Sequence, residues 1–228
     1  MQAAAQRTLA LSDLLAGLPD ELLAQLAAHA RRRTYRRGEV IYHGGDPGDT
    51  LHVLESGTAK VTVLSPHGAE TVLRIIGPGE CHGELALIDD SPRSATVQAL
   101  EPVAAVTLHH DDFLNLLRTN QAANERVLAS LANKIRDLTT QVSDLAFLDL
   151  EGRLAKKLVE LAETHGTPLG NAIEIQLPLT QEDLAGMVGA TRASVNKLLG
   201  WYEDQGLIAR RTRRLEITDL PRLRRRVL

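Results

Sequence analysis

The chain has 228 residues, 43% hydrophobic and 24% charged, with a net charge of −3; this is the composition of a soluble globular protein long enough for two ordinary domains. Its single cysteine, Cys81, excludes an intrachain disulfide framework and is too few for an iron–sulfur cluster or a thiolate zinc site. Residues 1–30 lack an apolar segment followed by a small-residue cleavage site, and no run approaches the ~20 apolar residues that cross a bilayer, so a cytoplasmic chain without membrane association is expected.

Charge is unevenly distributed: residues 150–228 hold 13 Lys+Arg against 10 Asp+Glu, a net +3, and residues 1–149 carry −6. Asymmetry of this size identifies no partner without a motif.

In chain order, residues 12–30 (SDLLAGLPDELLAQLAAHA) have helical apolar spacing with Ser12 and Asp13 as start signals, which predicts one or two short helices. From Tyr35 to about Leu108, short apolar runs alternate with Gly-containing turns (HGGDPGD, SPHGAE, GPGE), the pattern of an antiparallel β-roll or barrel. Residues 111–147 return to helix. The His109-His110-Asp111-Asp112 run at its start reads as a helix cap made by Asp111 or Asp112 in preference to a metal site. Leu128, Leu131, Ile135, Leu138, Val142 and Leu145 then form a stripe spaced 3, 4, 3, 4, 3 and flanked by polar residues. A stripe so narrow over about three heptads predicts a helix paired in parallel with its own copy, a homodimer.

A further helix is expected over roughly Leu150 to Thr164, then a loop with Gly166, Pro168 and Gly170, then a short strand (AIEIQL). Thr180 with Asp183, the turn at Gly189, and Thr191 mark two consecutive helices whose shared inside is Leu184, Val188, Val195, Leu198 and Tyr202. The runs LIARR and RRLEIT follow as a hairpin, completing a winged helix-turn-helix. Residues 209–228 hold eight arginines and two acids, and Arg210, Arg211, Arg213 and Arg214 are expected to contact phosphates of nucleic acid. The fold class is therefore α+β: a jelly-roll-like β-roll, a long helix, and a C-terminal winged helix-turn-helix.

The stretch GELALIDDSPRSATV, residues 83–97, places a carboxylate after a glycine and a guanidinium nine residues later. An arginine fork gives paired, charge-assisted hydrogen bonds to phosphate oxygens. Arg93 fits that role, Ser94 adds a hydroxyl, and Gly83 brings a backbone N–H to the start of a short helix. Glu84 beside a phosphate would be repelled, so it is assigned to a ribose hydroxyl on the other side of the sugar.

Gly83, Glu84, "LAL" and "PRSA" of residues 92–95 closely resemble the phosphate-binding cassette of the cyclic-AMP receptor protein (CRP) family of transcription regulators. The resemblance extends over nearly the whole chain, through the β-roll glycines, the long helix, the hinge-like LAFLD of residues 145–149 and LTQEDLAGMVGATRASVNKLL. It implies a cyclic-nucleotide-binding β-roll with N-terminal helices over residues 1–110, a dimerisation helix and hinge over 111–148, and a DNA-binding winged helix over 149–228. It further implies that Gly83, Glu84, Leu85, Arg93, Ser94 and Ala95 hold the sugar phosphate, with Thr139 and Thr140 meeting the base. DNA contacts fall on Thr180, Gln181, Thr191, Arg192, Ala193, Ser194, Asn196, Lys197, Arg211 and Arg213. The implied partners are a palindromic double-stranded DNA operator, a second copy of the chain, and RNA polymerase; the implied effector is cyclic AMP, with cyclic GMP, another effector, or activity without ligand as alternatives, and with no metal.

Two positions depart from the family pattern. Leu138 replaces one of two base-contacting hydroxyls, which implies altered base selectivity and a paired helix less dependent on ligand. Ala193 replaces a glutamate and cannot accept from a cytosine amine, which implies a degenerate half-site. Two rival readings are weaker. Cys81 and His82 invite haem, but neighbours in sequence seldom face one iron. Glu84 with Arg93 could act on a phosphoester, but no nucleophile–base pair or metal-ligand spacing accompanies them, so the chain is read as a regulator and not an enzyme.

Overall fold

A computed structural model describes residues 2–211 and 214–227. It forms two compact units, Met1–Val63 with Arg74–Arg136, and Leu64–Leu73 with Asp137–Leu228.

Helices α1 (Gln2–Ala10) and α2 (Asp20–His29) come first. Sequence spacing placed the first helix after Ser12, and the structure corrects this. Ser12 is fully buried in the turn between the helices, where its hydroxyl donates to Leu9 O at 2.7 Å and accepts from Leu15 N at 3.1 Å. Ser12 therefore closes one turn of chain without starting a helix, and Pro19 precedes the next.

Strands β1 (Arg31–Tyr35), β2 (Val40–Tyr42), β3 (Thr50–Ser56), β4 (Ala59–Leu64), β5 (Glu70–Ile76) and β6 (Cys81–His82) lead to the short helix α3 (Glu84–Ile88), then β7 (Thr96–Ala99) and β8 (Val103–His109). They form two four-stranded sheets, in the orders β1-β8-β3-β6 and β2-β7-β4-β5. The resolved pairings β1–β8, β3–β8, β3–β6, β2–β7 and β4–β7 are all antiparallel. Leu54, Ala59, Ile76, Val97, Ala99 and Val103 make one apolar cluster of the roll. A second joins Leu51, Val53, Val106 and Leu108 to the helices through Leu9, Leu14, Leu15, Leu23, Phe113 and Val127.

The helical stretch after β8 is two helices, α4 (His110–Thr119) and α5 (Gln121–Phe147), where the spacing predicted one. Asn120 turns into extended backbone between them, and its side chain accepts from Ala123 N at 3.0 Å. The start of α4 is capped by His109, whose ring accepts from Asp111 N at 3.3 Å. Asp111 and Asp112 instead lie in the first turn, where carboxylates favour the helix dipole.

In the second unit, Asp149 caps α6 (Leu150–His165) by accepting from Gly152 N at 2.8 Å. Strands β9 (Gly166–Leu169) and β10 (Ala172–Ile175) follow, then α7 (Gln181–Val188), α8 (Arg192–Asp204), β11 (Ile208–Arg211), β12 (Arg214–Ile217) and α9 (Leu220–Arg224). The sheet order is β11-β12-β10-β9, so the expected hairpin is half of a four-stranded sheet. The segment read as a loop at Gly166 and Pro168 is β9, paired with β10 across the turn at Gly170 and Asn171.

The capping signals form as their residue types require. Thr180 Oγ1 accepts from Asp183 N at 3.1 Å while Asp183 Oδ2 accepts from Thr180 N at 2.8 Å, and Thr191 accepts from Ser194 N at 3.2 Å. Gly189 adopts φ +62, ending α7 in a conformation other residues rarely take. Leu184, Val188, Val195 and Tyr202 are buried between the two helices as expected, but Leu199, not Leu198, completes that inside. The Tyr202 hydroxyl donates to Glu151 O at 2.7 Å, tying α8 to the start of α6. Thr180→Ala is expected to lower the unfolding free energy by about 1 kcal/mol in urea denaturation, and Thr180→Ser to retain it, because serine keeps the capping oxygen.

Candidate functional site

In the first unit the cassette is built from three segments. Gly83 ends β6 at φ +86 and opens α3, and a Cβ there would collide with the Arg93 guanidinium. Past α3, the Asp89 carboxylate accepts from Ser91 N at 3.1 Å and turns the chain back towards Pro92. The backbone of Arg93 is then fixed on both sides, its N–H donating to Asp46 O at 2.8 Å and its carbonyl accepting from Gly45 N at 2.8 Å.

The Arg93 side chain is buried, 5% exposed. Nη1 donates to Gly83 O at 2.8 Å, and Nη2 donates to Thr50 O at 2.7 Å and to Thr50 Oγ1 at 3.2 Å. Its Cζ lies 4.3 Å from the centre of the Tyr42 ring, a cation–π contact. Nε has no hydrogen-bond partner, and among the described residues no carboxylate pairs with this cation. Glu84, 3% exposed, is bound to Lys134 of α5, Nζ to Oε1 at 2.7 Å. The structure thus brings Gly83, Glu84 and Arg93 together, with Ser94 and Leu85 exposed beside them and Ala95 half-buried. The sequence places Lys134 only among the polar residues that flank the apolar stripe, with no role at the site. Its signal was a lysine on the long helix off the apolar stripe, where the spacing alone reads as a solvated position. Thr139 and Thr140 lie on the exposed part of α5 in the second unit.

Behind Arg93 is a cluster the motifs did not indicate. His52 of β3 and His82 of β6 pair across the strands and stack, ring centres 4.9 Å apart at 14°. The Tyr42 hydroxyl meets His82 Nδ1 at 3.0 Å. His52 Nδ1 and His82 Nε2 are buried without a partner. Burial, then the positive charges of Arg93 and Arg33, lower the His52 pKa to about 3. Burial, then His52, Arg93, Lys134 and Arg74, hold His82 well below its usual value. Burial also raises the Tyr42 hydroxyl far above its ordinary range, so all three rings are neutral near pH 7.

Cys81 belongs to the helix-facing core and His82 to the ring cluster, on opposite faces of β6, so the two do not converge on one iron. Burial, then Asp13, raises the Cys81 thiol well above its ordinary pKa.

Along α5, Leu128, Ile135, Leu138, Val142 and Leu145 are 50–66% exposed. Leu131 differs, packing partly against the first unit's own helical core.

In the second unit Arg192, Ala193, Asn196 and Lys197 are exposed on α8, with Val195 fully buried and Ser194 half-buried. Thr180 and Thr191 are engaged as caps. Gln181, at the start of α7, donates to Asn196 Oδ1 at 3.0 Å. The wing arginines are paired within the chain: Arg210 with Glu203 and Asn196, Arg211 with Glu216, and Arg214 with Glu174. Arg213 lies outside the described residues.

Comparison with known proteins matches residues 32–120 to the cyclic nucleotide-binding domain and residues 152–226 to the Crp-like helix-turn-helix domain. The CRP-like cAMP-activated global transcriptional regulator of Mycobacterium tuberculosis is 34% identical over 96% of this chain and 97% of its own length. The cyclic AMP receptor protein of Thermus thermophilus is 28% identical over 86% of this chain and 88% of its own. Among solved structures, a CRP-family transcriptional regulator of Thermus thermophilus superposes with a TM-score of 0.74 at 29% identity, covering 86% of this chain and 96% of that one. The c-di-GMP-responsive regulator CLP of Xanthomonas campestris shares the fold, with a TM-score of 0.77 at 22% identity over 88% of this chain and all of that one.

The ring cluster makes stability depend on pH with a defined sign. In the unfolded chain the His52 imidazole takes up a proton as pH falls through 6.5, whereas in the folded chain it does so only near 3. The unfolded state then binds more protons across that window, and stability declines as pH falls through it. His52→Phe is expected to lessen this slope, with the His82 share remaining, measured as the urea midpoint at a series of pH values between 7 and about 3.5.

Proposed function

The chain belongs to the CRP family of transcription regulators, and from that premise we propose that a cyclic nucleotide, cyclic AMP in the first instance, binds the first unit against Arg93 and Glu84 and controls operator binding by the second. The observation that carries this is Arg93: a buried cation with a vacant N–H donor and no carboxylate partner among the described residues. Burying an unpaired charge costs several kcal/mol, and an anionic ligand offsets that cost. Gly83 opens the way to it, Ser94 adds a hydroxyl, and Glu84 can accept from the ribose. Thr139 and Thr140 meet the base by the resemblance alone.

Lys134 supplies a route from ligand to helix. A ribose hydroxyl that hydrogen-bonds Glu84 competes with the Lys134 ammonium for the same carboxylate, so occupancy alters how α5 is tethered to the cassette. The effector acts only through its difference in affinity between the two tethered arrangements, 1.4 kcal/mol per tenfold. The exposed stripe of α5 supports pairing with a second copy. Each such side chain gains about 1.5–3 kcal/mol when fully removed from water. Paired copies would place two α8 helices on half-sites about 34 Å apart in a palindromic operator, with Arg192 forking onto guanine. RNA polymerase is then the downstream partner, and the nucleotide is an effector left intact.

Calorimetric titration of the full chain should give heat with cyclic AMP. Arg93→Ala should weaken binding by roughly 10- to 100-fold, the loss of charged hydrogen bonds worth about 1.5–3 kcal/mol. Absence of heat with both cyclic AMP and cyclic GMP would end this reading. In a gel-shift series on a selected operator, Arg192→Ala should lower specific affinity by about 1–3 kcal/mol. Undiminished binding by that variant would remove Arg192 from the reading face.

A further inference from the structure

Asn196 lies on the exposed face of α8, one helical turn beyond Arg192 and next to Lys197. Its side-chain carbonyl is held twice. Gln181 Nε2, from the start of α7, and Arg210 Nη1, from wing strand β11, both donate to Oδ1 at 3.0 Å. An asparagine amide can be turned by 180° at little steric cost, so the identity of the atom facing these donors matters. Arginine settles it, because a guanidinium has donors only and can face only the oxygen. Arg210 is itself fixed. Its Nε and Nη2 each lie 2.8 Å from Glu203 Oε2, and its backbone N–H donates to Glu203 Oε1 at 3.1 Å. Glu203 is on α8 two turns beyond Asn196, so helix and wing clamp the amide from both sides.

We infer that Asn196 is a specificity-determining residue that faces DNA as a hydrogen-bond donor only, its carbonyl being occupied by Gln181 and Arg210. Among the described residues no acceptor takes Nδ2, which leaves both amide hydrogens for the groove. The usual asparagine contact to adenine needs donor and acceptor together, so the clamp forbids it. A lone donor accepts guanine through O6 or N7, thymine through O4 and adenine through N7. It rejects cytosine, whose major-groove edge presents an amine. The expected code at the base facing Asn196 is therefore "not cytosine". Ala193 and Arg192 contribute nothing to this rule, since neither touches the clamp. The inference rests on the proposal that α8 reads DNA.

The test is binding-site selection from a randomised duplex pool, using the full chain with saturating cyclic AMP. Wild type should enrich a two-fold symmetric site with cytosine depleted about fivefold at one position of each half, the size of one neutral hydrogen bond. Asn196→Ala should keep the symmetric site and lose that depletion. Asn196→Asp, whose second oxygen replaces the outward amine, should reverse it and enrich cytosine. Gln181→Ala with Arg210→Ala should free the carbonyl and shift the same position towards adenine. If Asn196→Ala gives a profile superimposable on wild type at a site that is still enriched, the assignment falls while DNA reading by α8 stands. If wild type enriches no symmetric site, the underlying reading falls and takes the assignment with it.

Discussion

The first unit is organised around a guanidinium taken out of water. Arg93 needs acceptors for its donors, and three come from two separate places in the chain, the carbonyl of Gly83 and the carbonyl and hydroxyl of Thr50. Without them the burial would be strongly destabilising. The requirement propagates into backbone chemistry. Gly83 has no room for a side chain because the guanidinium occupies that space, and a Cβ on Gly48 would collide with Ala86 and crowd the Arg93 stem. The loop between β2 and β3 supplies the main-chain bonds that hold Arg93 in register. Arg93 thus accounts for Gly83, and with Ala86 for Gly48.

The same unit connects that arginine's neighbourhood to the long helix by one ion pair. Glu84 sits on a five-residue helix, and its partner Lys134 sits on a 27-residue one. With Glu84 5% and Lys134 21% exposed at the side chain, the pair is sheltered enough that breaking it leaves a buried carboxylate uncompensated. Beside it on α5, the large apolar residues Leu128, Ile135, Leu138, Val142 and Leu145 are exposed. The helix therefore carries a polar restraint at the border of an unfilled apolar stripe.

Much of this was legible in sequence, for identifiable reasons. Capping boxes and αL glycines are local: Thr180, Asp183, Gly189 and Thr191 interact within a few residues, so their meaning survives without tertiary context. The cassette was read from the resemblance of the whole string to that of the CRP family, since each of its residues taken singly also fits an exposed ion pair or a turn. What was missed depends on partners distant in sequence. Lys134 meets Glu84 across 50 residues, and His52, His82 and Tyr42 meet only because β2, β3 and β6 converge. The mistaken boundaries have local competitors. Ser12 can serve a turn as well as a helix start, Asn120 breaks a helix without proline or glycine, and Gly166 with Pro168 reads as loop although both sit in a strand at the edge of its sheet. His109 displaced the aspartates as a cap because an imidazole nitrogen can also accept an N–H.

The wholly uncharged rings behind Arg93 give its surroundings a definite electrical parity. Glu84 and Lys134 cancel, Tyr42, His52 and His82 contribute nothing, and among the side chains that touch Arg93 none offsets its positive charge. On the proposed function, a guest carrying a single negative charge, such as a cyclic phosphodiester, would balance Arg93. Its ring-opened monoester carries up to two near pH 7, since the second ionisation lies near 6, and would leave a surplus anion where dielectric screening is weak. On the proposed function, ring closure of the phosphate would be distinguished at Arg93 by charge alone, without any contact made to the opened end.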